Sequence, residues 1–256
     1  MNNDVNINKA RAIYYSMFAQ FFVSSTDISK YFELLKLIEV LKKEPLDNTS
    51  KAAFDELSNL LKADSNFDLL SEYDEIFHNP ETQNIRTTAS FYDEGLESGK
   101  KRVEMLQFLA KTKIRRDENK YFEYEDSIGF IFAVLAELVE AIVKGENQYI
   151  NTVHCIFDQI LNEFIDQFAS SVYSHPKAKI YKEIIVLLKT FIEFERLYLQ
   201  VSKPAKKEIP TKENFREEEI SEEERLRRER NKALRAQGPK QEVCSTDIAY
   251  DVETEV

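Results

Sequence analysis

The chain has no tryptophan and, across 256 residues, only 5 glycines, 6 prolines and 2 cysteines. So few glycines and prolines argue against a sheet-rich fold, whose tight turns need both. Cys155 and Cys244 stand far apart with no metal-type or redox spacing, which suits a reducing cytoplasm. No apolar run approaches the length of a membrane span, and Met1 to Lys9 lacks the basic-then-apolar order of a secretion signal. The formal net charge of −11 opposes general nucleic-acid binding, because phosphates need a basic surface, and favours a basic partner. There is no phosphate-cradling glycine-rich loop, no GxxxxGK[ST] and no GxSxG. Glu75 and His78 form one Glu-x-x-His, but a di-iron bundle needs the motif on two helices, so neither a metal nor any other cofactor is expected.

What is present is a set of 18 Phe and 12 Tyr among Leu, Ile and Val, spaced for helices. Ile7 to Val23 sets Ile13, Tyr14, Met17, Phe18 and Phe21 on one face. Thr26 or Asp27 is placed to cap a second helix, which Pro45 follows, and a third starts after Asn48 or Thr49. A fourth covers about Phe67 to Phe77. His78 to Ser90, HNPETQNIRTTAS, has no helical period, and Asn79-Pro80 is a stop signal. One helix is expected from Phe91 or Leu96 to about Lys113, then a charged loop over Arg115 to Lys120. Three long helices follow: Glu125 to Val143 with Gly145 as a C-terminal cap, Tyr149 to Phe168, and Lys179 to Leu199. The expected architecture is all-α: one multi-helix domain over 1–202 and a charged, mostly disordered tail over 203–256. Within that tail, EEEISEEERLRRER (Glu217 to Arg230) is the one stretch with the charge order of an exposed helix. The tail carries 12 basic and 14 acidic of the chain's 35 and 46, so 23 and 32 remain, and the domain alone is at −9.

The candidate binding residues lie where this pattern breaks. A long irregular stretch in a compact domain is often functional, and Tyr73, Phe77, Phe91 and Tyr92 flank this one. They are expected either to pack as ordinary core or to line an apolar groove for a peptide. Glu123, Glu125 and Asp126 open the long apolar helix, as a helix cap or as an acidic anchor for a basic ligand. Cys155 borders an apolar stripe and reads as a core residue, and His154 with Asp158 as a surface pair.

These residues carry a resemblance. EYDEIFHNP followed by ASFYDEG is similar to the signature Y-x-x-(L/I)-F-x-x-P, then S-x-(Y/F), of the TorD/DmsD/NarJ family, through Tyr73, Ile76, Phe77, Pro80, Ser90 and Tyr92. EYEDSI resembles that family's E-x-E-D-H-(I/L) element through Glu123, Glu125, Asp126 and Ile128, with Ser127 where the family usually has His. Arg11 and Tyr14 ahead of a Phe-rich helix end form a third, weaker element. The likeness spans about Ala10 to Leu199, and the loop has Asn84 to Ala89 in place of the Pro-Pro-Trp type of some members.

The resemblance implies a cytoplasmic chaperone and not an enzyme. It would bind the N-terminal twin-arginine signal of a molybdoenzyme catalytic subunit precursor and delay export until the molybdopterin cofactor is loaded. It would act as a monomer or a domain-swapped dimer, with formate dehydrogenase as the client suggested by the divergent loop and long tail. The expected signal-binding residues are Tyr73, Phe77, Asn79, Pro80, Phe91, Tyr92, Glu123, Glu125, Asp126 and Ile128. Glu125 and Asp126 would take the guanidinium groups in forked hydrogen bonds. The competing expectation is an all-helical adaptor for another partner, since periodicity alone does not separate the two.

Overall fold

A computed structural model describes residues 5–81, 84–119, 121–205 and 209, together with Arg227 and Arg230. Its first unit, Met1–Pro210, is all-helical. The helices are α1 (Val5–Phe22), α2 (Ile28–Lys43), α3 (Asn48–Leu60), α4 (Asn66–Phe77), α5 (Ala89–Glu94), α6 (Lys100–Ala110), α7 (Ile128–Val143), α8 (Ile150–Ile156), α9 (Asn162–Ser174) and α10 (Ile180–Leu199). Among the described residues there is no strand, only one isolated bridge between Thr88 and Ser127. No described helix is long and apolar enough to cross a membrane. Of the second unit, Thr211–Val256, only Arg227 and Arg230 are described, both helical and exposed. The expectation of a disordered tail with one exposed helix otherwise lies outside the described residues.

The start signals of the second and third helices are used as read, within a residue. Asp27 caps α2 by accepting the Ser29 N–H at 2.9 Å. Asp47 closes a capping box with Ser50 on α3, one residue ahead of the expected Asn48. The start of α10 is capped from a distance. The buried Glu72 of α4 accepts the N–H groups of Lys179, Ile180 and Tyr181 at 2.7, 3.0 and 2.8 Å. It thereby satisfies three of the four donors that the start of α10 leaves unpaired.

The single helix expected from Phe91 or Leu96 to Lys113 is two, α5 and α6. Gly95 adopts φ 69° at the C-terminus of α5, a left-handed turn that favours glycine and redirects the chain. The helix expected over Tyr149 to Phe168 runs on to Ser174 and contains a π-helical segment, Phe157–Leu161. Its spacing explains this. Ile156, Ile160, Phe164 and Phe168 are four apart, twelve residues in all, against about 10.8 for three regular turns. One extra residue in a widened turn keeps all four on the core face, where each is at most 2% exposed.

The core is aromatic. Phe22 packs on Phe132 at 6.0 Å and on Phe168 at 5.4 Å, and Phe191 on Tyr14 and Tyr15 at 4.9 Å each. α1 lies against α7 and reaches α10. Gly129 permits the first contact, because a Cβ there would sit 2.5 Å from the Phe22 carbonyl oxygen. Cys155 is half-buried against this core, as its place beside the stripe suggests.

Candidate functional site

The loop after α4 and the segment before α7 are far apart in sequence and adjacent in space. Ala89 donates its N–H to the Asp126 carbonyl at 2.9 Å, and Ile128 donates to the Thr87 carbonyl at 2.8 Å. Ile85 donates to the Ile76 carbonyl at 3.0 Å, folding the loop back on the end of α4. Asn79 turns the chain there: its N–H reaches the Asp74 carbonyl at 2.7 Å and its side-chain oxygen accepts the Glu81 N–H at 3.0 Å. Residues 124–127 form a turn, closed by the Ser127 N–H on the Tyr124 carbonyl at 3.0 Å, and α7 begins at Ile128 instead of the expected Glu125.

That shift gives the three acids different partners. Glu123 is half-buried, with its two oxygens accepting from the Tyr73 hydroxyl at 3.2 Å and the Thr87 hydroxyl at 2.9 Å. Among the described residues no Lys or Arg pairs with it. Burial raises its pKa above the ordinary carboxylate value, with the two hydroxyl hydrogen bonds and the nearby His78 opposing. Glu125 accepts from Arg102 Nε at 2.7 Å and from Arg116 Nε at 2.8 Å. Burial acts upward on it too, but the two arginines prevail and its pKa lies below the usual value. Asp126 is fully buried and accepts through Oδ2 from the Ser90 N–H at 2.8 Å and the Ser90 hydroxyl at 2.6 Å. Burial raises its pKa, with the Ser90 bonds opposing. Asp126 thus caps the start of α5, not that of its own helix. Of the two expectations for the acid pair, neither a cap on α7 nor an open carboxylate anchor is what this geometry gives.

The aromatic expectation resolves toward core. Tyr73, Phe77 and Tyr92 are 2, 5 and 6% exposed. Phe77 stacks on Phe168 at 6.1 Å, Tyr92 on Phe164 at 5.3 Å, and Tyr73 meets Phe77 at 4.9 Å. The space around Phe77 and Tyr92 is filled by rings of α1, α9 and α10. Phe91 is half-buried, Pro80 exposed, and Ile128 is core. Ser127 is buried with its hydroxyl 2.6 Å from that of Tyr121.

Sequence reasoning passed over Arg102, Arg116 and Thr87. The run of cations at Lys101, Arg102, Lys113, Arg115 and Arg116, just ahead of EYEDS, is the signal that internal partners were at hand. Among the described residues there is no group of three or more His, Cys, Asp or Glu able to hold a metal ion.

The family model of the nitrate reductase delta subunit matches residues 43–170, half of the chain, and the chain belongs to that family. The family consists of molybdoenzyme maturation chaperones, and that is the general role of this chain. No curated protein matches the chain.

Proposed function

We propose that this chaperone binds the N-terminal twin-arginine signal of a molybdopterin-dependent oxidoreductase subunit in the cytoplasm, assists cofactor insertion and delays export. Formate dehydrogenase is the client we favour. The helical domain over 1–202 carries this activity, separately from the tail over 203–256.

The observation that carries the reading is Glu123. It is a half-buried carboxylate held by two neutral hydroxyls, while its neighbour Glu125 already holds two arginines. A client guanidinium arriving at Glu123 gains charge-assisted, forked hydrogen bonds in place of the two hydroxyl donors. The domain's excess of acids draws such a peptide in. Within the proposed site, Asn79, Pro80, Phe91 and Glu123 are accessible enough to touch the signal. Tyr73, Phe77, Tyr92, Asp126 and Ile128 are buried and hold those contacts in place, and Glu125 fixes the loop that carries Arg116.

Two experiments test this hypothesis. A tagged pull-down from the native host, read by mass spectrometry, is expected to bring down a molybdoenzyme catalytic subunit with its signal uncleaved. Enrichment of some unrelated protein instead would favour an adaptor and sink the proposal. Glu123→Gln is expected to weaken binding of a twin-arginine peptide by about tenfold or more, since a hydrogen bond to a charged group contributes about 1.5–3 kcal/mol.

A further inference from the structure

We infer that a groove between α1, α2 and α4 receives apolar side chains of the same client segment whose arginine Glu123 takes. This rests on the signal-binding reading above and adds a second, apolar subsite to it.

The groove is a solvent-open cavity of about 230 Å³, lined largely by carbon from Ala19, Tyr31, Leu34 and Leu70. Small-molecule sites usually run to about 300–1,000 Å³, so this one suits inserted side chains better than a nucleotide or a pterin. Its apolar character continues outward. Phe67 is 79% exposed and lies three residues before Leu70, on the same face of α4. Together the bare ring and the open cavity make a continuous apolar surface for a partner's side chains to meet.

The surroundings select the partner's chemistry. Glu33 lines the groove, and Asp64 and Asp68 lie close enough to Tyr31 to act with burial in pushing its hydroxyl up to about 12. Lys30 is the cation of the lining. An apolar segment with basic flanks complements that rim, and an acidic one does not. Gln20 also lines the groove, and its buried side-chain oxygen has no hydrogen-bond partner among the described residues.

Tyr73 joins the two subsites. It is one of the residues lining the groove, and its hydroxyl donates to Glu123. The carboxylate and the cavity are thus neighbours, within reach of one peptide that has arginines followed by an apolar stretch.

The test uses the full chain and two synthetic peptides, one with an Arg-Arg pair followed by a leucine-rich stretch, the other with those leucines replaced by serine. Ser24→Trp blocks the mouth of the groove and Phe67→Glu charges it; both sites are exposed, and circular dichroism checks that each variant is folded. Each is expected to weaken the leucine-rich peptide by about tenfold while leaving the serine peptide unchanged, whereas Glu123→Gln weakens both. If Ser24→Trp and Phe67→Glu bind the leucine-rich peptide as wild type does while Glu123→Gln does not, the groove inference falls and the signal-binding reading stands. If the wild-type chain binds neither peptide, both fall. A dimer that Phe67→Glu splits, with peptide affinity intact, would give the groove to a second copy of the chain and overturn the inference.

Discussion

Two glutamates from different regions of the molecule show how one side chain serves two purposes. Glu195 on α10 is fully buried and saturated: Arg11 grips it with Nε at 2.6 Å and Nη2 at 2.7 Å, and the Tyr15 hydroxyl donates at 2.7 Å. Asn8 takes a further Arg11 nitrogen at 2.7 Å, and the Tyr198 ring lies 4.4 Å from the guanidinium. Glu123 keeps a partly exposed face and, among the described residues, takes its hydrogen bonds from hydroxyls. The first is charge matched within the fold, and the second is charge left for something else to match. Position in the chain does not distinguish them, and neither does residue type; the partners do.

The contrast is sharpest under mutation. Glu195→Ala leaves Arg11 buried without its counter-charge, and removing one member of a buried pair typically costs about 3–5 kcal/mol. Urea unfolding is expected to show a loss of that size, and a loss below about 1 kcal/mol would mean water or a neighbour replaces the carboxylate. Asp126→Asn weakens the cap on α5 and is expected to cost about 1–3 kcal/mol of stability. Its effect on peptide affinity should be small beside that of Glu123→Gln; an equal effect would make Asp126 a direct anchor.

Titration separates Glu123 from Glu125. A carboxylate raised on folding binds its proton more tightly in the folded chain, so the stability it contributes falls as pH rises from the ordinary carboxylate value through the raised one. Across that same window Glu123 gains charge, and affinity for a twin-arginine peptide is expected to rise by up to about tenfold per pH unit. Glu123→Gln should flatten the profile, and a profile unchanged by that substitution would assign the titration elsewhere. Glu125 runs the other way. Its lowered value contributes stability that is present above the ordinary carboxylate value and lost as pH falls through the folded one.

The helices were legible because their signals are local. Asp27, Asp47 and the three- and four-residue apolar steps act within one or two turns of themselves, and the structure uses them nearly as read. The two motif halves were also legible, and they do meet, through the pairing of 87–89 with 126–128. What escaped was the side-chain partners supplied from a distance. Glu72 capping α10 and Asp126 capping α5 are invisible to any rule that looks only one turn ahead. The same holds for Arg102 and Arg116 on Glu125, which turned an expected anchor into a filled site. The apolar groove escaped for the opposite reason. Ala19, Tyr31, Leu34 and Leu70 carry the pattern of core residues, and only the shape of the fold leaves space between them.

The Arg11–Glu195 pair also sets a clock. Its members are 184 residues apart, so α1 leaves the ribosome long before the carboxylate that neutralises Arg11 has been made. At about 5–20 residues per second that interval is roughly 10–40 s, in which Phe18, Phe21 and Phe22 have neither α7 nor α10 to cover them for much of the time. A chaperone joined first helix to last becomes competent only once nearly all of its domain has been synthesised, so an unfinished copy offers its client no finished surface.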